Sequence, residues 1–244
     1  MGIEKLIFGP AIQNVKQKAV FLHGFLQTGP SFVKMIKKVH PSFFDSKNTQ
    51  FIVPTAPKIE LTGKDIHPMF PGPTKNLDPN KRAWIDVKST LKFENSELNM
   101  VNKQDFLDTC NKLNDDKLIT GGENFTLVGF SQGSALALEF ALNYFPEKYN
   151  KKINKLVLLS NFRNHDCHLW GSHLEKLKER DLLPDKILIC HGKKDKMVPI
   201  DWALHSYDNL KEHVDNVDFF VDETSKHEPS QKIWQRTLQF IENN

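Results

Sequence analysis

A chain of 244 residues, 39% of them hydrophobic, has enough apolar material for a sizeable core, and its length admits one large α/β domain or two small ones. Its 33 basic and 30 acidic residues leave a net charge of +3 and are spread along the chain rather than gathered in blocks, which argues against nucleic acid as the main partner. No apolar stretch approaches the roughly 18 residues of a membrane span. The opening MGIEKL has Leu6 where myristoylation wants Ser or Thr, and the closing FIENN is no prenylation box, so no stable membrane anchor is expected.

In chain order, short β-branched or apolar runs recur at KAVFLHG (18–24), TQFIVP (49–54), FTLVGF (125–130), INKLVLLS (153–160), DKILICHG (185–192) and VDFFVD (217–222). Runs apolar almost throughout suit strands covered on both faces. Between them, SFVKMIKKV, MVNKQDFLDTCNKL, SALALEFALNYF, DWALHSYDNLKEHV and SQKIWQRTLQFIEN carry helical spacing. In the last, Ile233, Trp234, Leu238 and Ile241 fall on one stripe. Alternation of strand and helix predicts an α/β architecture, a mostly parallel sheet with helices on both faces. No linker or repeat divides residues 1–244, so a single domain is expected. Residues 55–80, rich in Pro, Gly, Asn and Asp, form the exception; so long an irregular segment is expected to be a lid, a substrate loop or a tolerated surface insertion.

Cys110, Cys167 and Cys190 are far apart and in no C-x-x-C pair, and no signal peptide opens the chain. They read as free thiols in a reducing, cytoplasmic compartment.

The stretch LVGFSQGSAL (127–136) places Ser131 between Gly129 and Gly133 where an apolar run ends and a helical one begins. By composition alone, G-x-S-x-G arises in about one chain in twelve of this length. Its strand–turn–helix setting adds weight, because a sharp turn there crowds its neighbours and tolerates only small flanking residues. A serine hydroxyl needs a base to take its proton and a third group to orient that base. Asp195, in ILICHGKKDKMVP, follows one strand, and His227, in FFVDETSKHEPS, follows the last, so the order Ser…Asp…His is met at successive strand ends. His205 and His213 lie on the preceding helical stretch, where packed or solvent-facing histidines are usual. Two hydrogen-bond donors are also required where negative charge develops on a substrate oxygen. The N–H of Gln132, at a helix start, and that of Phe25, in FLHGFLQTG, are the candidates. His23 precedes the serine and reads as a brace for that loop.

The segments VFLHGFLQTG, TAP, RAWIDV, LVGFSQGSALAL and CHGKKDKMVP, with His227, resemble the α/β-hydrolase superfamily over about residues 18–240. They look most like the phospholipase/carboxylesterase family that includes the acyl-protein thioesterases. HGFLQTG is also similar to the eukaryotic family of serine hydrolases related to the ovarian-cancer-associated esterase. The resemblance implies Ser131 as nucleophile, His227 as base and then acid, Asp195 as its orienting group, Phe25 and Gln132 as the oxyanion hole, and Trp84 beside the acyl or alcohol pocket. It implies no cofactor or metal, and as substrate an acyl ester or thioester carried by a small molecule or a lipidated protein. The sequence departs from the thioesterase pattern at Gln27, where an acidic residue is common, at SNFRNHD (160–166), in lacking a glycine before His227, and in its longer 55–80 loop.

Two rival expectations remain open at this stage. One is a non-catalytic binding or regulatory protein on a hydrolase scaffold; the other is another hydrolase on the same fold, either a small-ester hydrolase of the family of serine hydrolases or a different chemistry such as a peptidase or a dienelactone-type enzyme. A serine in place of a cysteine nucleophile disfavours the last. The cluster NHDCHLWGSH raises His165, Asp166, Cys167, His168 and His173 as metal ligands, but shows no second pair at ligand spacing. Phe25, Met69, Phe70 and Trp84 would suit an apolar acyl group if they converge.

Overall fold

The computed structural model describes residues 3–11, 15–58, 82–85, 97–98, 103–115, 125–164 and 171–243. Among these, seven strands form one sheet in the order β1 (Lys5–Phe8), β3 (Thr49–Pro54), β2 (Gln17–Leu22), β5 (Phe125–Phe130), β6 (Lys155–Leu159), β8 (Lys186–Gly192), β9 (Val217–Asp222). β1 runs antiparallel to β3, and every other neighbouring pair is parallel. Two further strands of two residues, β4 (Glu97–Leu98) and β7 (Arg163–Asn164), pair apart from the sheet.

Because β3 and β5 hold every residue buried, and β2 nearly so, alternate side chains must be absorbed by helices on opposite faces. On one face Phe21, Phe51, Val128, Val157 and Leu188 meet Phe32 and Ile36 of α1 (Gly29–Val39) and Ile233, Trp234 and Ile241 of α7 (Gln231–Glu242). Phe21, Phe43, Phe44 and Phe51 pack there largely edge-on or tilted, with Trp234 edge-on against Phe43. The other face carries Leu22, Leu127, Leu156 and Ile187. It is covered by α2 (Lys103–Asp115), α3 (Gln132–Glu139), α5 (Ser172–Glu179) and α6 (Ile200–Lys211). α3 continues through a π-helical turn, Phe140–Tyr144, into α4 (Phe145–Tyr149).

The expected α/β sheet with helices on both faces is therefore present, and each of the six predicted strands forms within two residues of its expected bounds at either end. β1 and α5 have no counterpart in the sequence reading. β1 is only four residues long, with alternating half-buried and exposed positions at the sheet edge. Of the 55–80 loop, only residues 55–58 fall within the described residues, so a lid or substrate loop there, with Met69 and Phe70, lies outside them.

Chain order fixes where a site can form. After β2 the chain crosses to β3 on one side, and from β5 onward it builds β6, β8 and β9 on the other. The crevice at the carboxyl ends of β2 and β5 is thus the point where the winding reverses, the position at which open α/β sheets bind ligands.

Candidate active site

Ser131 follows β5 directly and caps α3 with φ 52 and ψ −117, a left-handed conformation for a residue other than glycine. The flanking glycines make this turn possible. A Cβ on Gly129 would lie 2.3 Å from the Gly133 carbonyl oxygen, and one on Gly133 would lie 2.2 Å from the Leu22 carbonyl oxygen. The second contact brings the start of α3 against the end of β2, so the loop holding Phe25 sits beside the serine turn. Ser131 N–H donates to the Leu159 carbonyl at 2.9 Å, tying the turn to the next strand.

The three residues expected to act together do meet. Ser131 Oγ–H donates to His227 Nε2 at 3.0 Å, and His227 Nδ1–H donates to Asp195 Oδ2 at 2.8 Å. The other carboxylate oxygen, Oδ1, accepts the N–H groups of Met197 (2.8 Å) and Val198 (3.0 Å). Burial pushes the Asp195 carboxyl up, but the hydrogen bond and charge of His227 and the two backbone donors outweigh it, and the group is held below its ordinary value. Asp195 is thus an anion aimed at one imidazole nitrogen, which sets the tautomer and leaves the other nitrogen able to accept from the serine.

His227 reaches this position without a preceding glycine. Asp222, at the end of β9, accepts from the N–H and hydroxyl of Thr224 through Oδ1 and from the Ser230 hydroxyl through Oδ2, bracketing the loop at both ends. Ser230 also caps α7 by accepting from Ile233 N–H. Gly192 is the complementary requirement, since a Cβ there would lie 2.3 Å from the Lys226 carbonyl oxygen and 2.5 Å from that of Ser225.

The candidate oxyanion donors have the expected surroundings. Gln132 begins α3, where the first N–H groups lack intrahelical acceptors. Its side chain is fixed behind the site, with Oε1 accepting from Trp84 N–H (2.9 Å) and Nε2 donating to the Ile85 carbonyl (2.8 Å). Phe25 lies in a turn closed by Gln27 N–H on the Gly24 carbonyl (3.2 Å), with Leu26 at φ 60. Gln27, the departure from the acidic pattern, returns its Oε1 to Gly24 N–H at 2.8 Å, so an uncharged acceptor holds the loop. His23 braces the same loop from below, its Nδ1–H donating to the Gly24 carbonyl (2.8 Å) while its Nε2 accepts from Ala56 N–H (3.0 Å). Burial lowers its pKa to about 4, which keeps it a neutral strut.

Trp84 requires a correction. Its side chain is fully buried, its Nε1–H donates to the His23 carbonyl at 2.7 Å, and its ring packs 4.7 Å from the His23 ring. It packs against the start of the loop that carries Phe25 and has no exposed surface to offer an acyl or alcohol group.

Three residues with a part in the geometry had no role in the sequence reading: Ser160, whose hydroxyl donates to the His227 carbonyl (3.0 Å), Asp222, and His191, buried beside Asp195. Only His191 had a sequence signal, its i,i+4 spacing from Asp195 across a glycine. The metal-ligand cluster lies outside the described residues except His173, whose Nε2–H donates to the Leu142 carbonyl at 2.7 Å. Among the described residues no group of three His, Cys, Asp or Glu is placed to hold a metal. Cys110 and Cys190 are buried free thiols, both pushed up by burial, and Cys167 is outside the described residues.

A mostly parallel sheet, a strained serine between strand and helix, and an imidazole linked to it and to a buried carboxylate define a class: serine hydrolases of esters and thioesters on the α/β-hydrolase fold. The profile of the serine hydrolase (FSH1) family matches residues 13–235, and the chain belongs to that family. Acyl-protein thioesterase 1 of Saccharomyces cerevisiae is 28% identical over 198 residues, 78% of this chain and 74% of its own. Acyl-protein thioesterase 1 of Kluyveromyces lactis is 26% identical over 236 residues, 94% of this chain and 92% of its own. Among solved structures, Zea mays acyl-protein thioesterase 2 superposes with a TM-score of 0.71 at 21% identity, covering 99% of this chain and 98% of that one. At that identity the structural likeness speaks to the fold.

Proposed function

We propose that this protein hydrolyses acyl esters and thioesters through a covalent acyl-Ser131 intermediate, with His227 and Asp195 completing the catalytic group. The observation that carries this is the continuous hydrogen-bond chain from Ser131 Oγ through both nitrogens of His227 to Asp195 Oδ2. In the first half-reaction Ser131 Oγ attacks the acyl carbon as its proton passes to His227 Nε2. The tetrahedral oxyanion is received by the N–H groups of Phe25 and Gln132, and the leaving alkoxide or thiolate departs with the proton from His227. In the second half-reaction His227 takes a proton from water, the hydroxide attacks the acyl carbon, and the proton returns to Ser131 as the carboxylic acid leaves.

A helix start under Ser131 and a backbone N–H from the β2 loop supply fixed dipoles where charge develops, and the cycle runs on protein groups alone. An acyl ester or thioester is the substrate class favoured by the thioesterase relatives, on a small molecule or a lipidated protein, acted on by a single-domain enzyme in the cytoplasm. No helix among the described residues is long and apolar enough to cross a membrane. The intact hydrogen-bond chain disfavours a non-catalytic scaffold protein.

The test is hydrolysis of a p-nitrophenyl ester series from acetate to palmitate, alongside matched S-acyl thioesters, by wild type, Ser131→Ala and His227→Ala. Activity abolished in both variants supports the acyl-serine cycle, and the chain-length optimum defines the acyl group. Equal hydrolysis by wild type and Ser131→Ala at every chain length overturns it.

A further inference from the structure

A second histidine lies against the orienting carboxylate. His191, near the end of β8, is fully buried, and its Nε2 stands 2.9 Å from the Val198 carbonyl oxygen and 3.5 Å from Asp195 Oδ2. A carbonyl can only accept, so Nε2 carries the proton and donates it to Val198, while Asp195 Oδ2 lies beside that contact at 3.5 Å. The remaining nitrogen, Nδ1, is buried with no hydrogen-bond partner among the described residues.

Val198 is held on both sides of this contact. Its carbonyl accepts from His191, while its N–H donates to Asp195 Oδ1 at 3.0 Å. The segment from Asp195 to Val198 is therefore wrapped around the carboxylate and pinned at its far end by one imidazole. The carboxylate oxygen that His191 faces, Oδ2, is the same one that receives His227 Nδ1–H.

We propose that His191 is the positioning residue for Asp195: its Nε2–H holds the Val198 carbonyl and, through the Val198 N–H on Oδ1, fixes the plane of the carboxylate and hence the direction of the His227 ring. A buried polar nitrogen left without a partner is unfavourable, and a structural core residue would serve better as leucine or phenylalanine. His191 tolerates that cost where its N–H holds the segment wrapped around the triad carboxylate. Burial, the largest influence on it, lowers its pKa; the Val198 carbonyl and Asp195 act to raise it, and His227 acts to lower it further. A neutral imidazole orients Asp195 without competing for its charge.

Since Asp195 matters here only if Ser131 is the nucleophile proposed above, the experiment reads both. Wild type, Ser131→Ala, His191→Leu, His191→Gln and His191→Asn are compared in steady-state ester hydrolysis, with folding checked by thermal unfolding. A glutamine amide nitrogen falls near imidazole Nε2, whereas an asparagine one falls near Nδ1.

His191→Leu and His191→Asn are expected to lose about tenfold in kcat, the upper end of what one neutral hydrogen bond contributes, with KM unchanged. His191→Gln is expected to stay within a few-fold of wild type. If the leucine variant does not fold, the glutamine and asparagine pair decides. Glutamine and asparagine variants of equal kcat, or a loss that appears in KM alone, would overturn the positioning role while leaving the serine cycle standing. Wild-type hydrolysis no faster than Ser131→Ala would instead overturn the cycle itself.

Discussion

The Ser160 hydroxyl donates to the main-chain carbonyl of His227 at 3.0 Å, joining the end of β6 to the loop that carries the proposed base. Ser160 takes φ 48 and sends its N–H to the Cys190 carbonyl at 3.0 Å, so three successive strand ends are laced together around the site. Neutral hydrogen bonds of this kind contribute about 1 kcal/mol. Ser160→Ala should therefore lower kcat by about fivefold, on the same principle, with little change in KM. Steady-state kinetics on one ester checks this, and a KM effect without a kcat effect would place Ser160 in substrate binding instead.

Gly192→Ala is expected to separate activity from folding. The added Cβ would lie 2.3 Å from the Lys226 carbonyl oxygen, and backbone must shift to relieve it. The strand can keep its ladder, so the displacement falls on the loop before His227. A misplacement of about 1 Å costs on the order of a hundredfold in rate. Circular dichroism close to wild type with kcat down by that order is the predicted outcome, and wild-type kcat would show that the loop adapts.

Asp195→Asn tests the tautomer. An amide facing His227 Nδ1 can supply a proton where the carboxylate accepts one, so Nε2 then carries the hydrogen and cannot accept from Ser131. A fall in kcat of roughly ten-thousandfold is expected from the equivalent change in other triads. Loss of less than tenfold in the hydrolysis assay would mean that Asp195 does not orient the base.

Stability should fall with acid because of His23. Its pKa is lowered from 6.5 to about 4 by burial, which outweighs the raising effect of the Gly24 carbonyl. Between those values the unfolded chain holds more protons than the folded one. The stabilisation is therefore complete above pH 6.5 and is lost as pH falls toward about 4. The two limits correspond to roughly 3 kcal/mol. His191 acts in the same direction. Urea unfolding between pH 7 and pH 4.5 should show this loss, reduced in His23→Gln, whose side-chain oxygen can accept from Ala56 N–H. Identical pH slopes for the two proteins would assign the acid sensitivity elsewhere.

Much of this site was readable from the chain because its chemistry sits at strand ends, and buried strands announce themselves as short apolar runs. Ser131, Asp195 and His227 each follow such a run, and their order along the chain was enough to join them. The supporting residues were not readable for a physical reason: their partners are set by strand adjacency rather than by spacing. Ser160 meets His227 across 67 residues because β6 lies beside β8 and β8 beside β9. Trp84 was misplaced because its indole N–H goes to the His23 carbonyl and its main-chain N–H to the Gln132 side chain, 61 and 48 residues away, and a lone tryptophan carries no periodic signal to say so. Asp222 looked like an ordinary strand-end residue, and its bracketing of the His227 loop emerges only once Thr224 and Ser230 fold back onto it.

The central claim is that Ser131 is an activated nucleophile, and covalent capture tests it most directly. Wild type, His227→Ala and Ser131→Ala would each be treated with a fluorophosphonate probe and the labelled peptide located by mass spectrometry. Rapid labelling of wild type at Ser131, with slow labelling of His227→Ala and none of Ser131→Ala, is the predicted result. Wild type that stays unlabelled, or that carries the probe on another residue at the same rate in all three proteins, would contradict it.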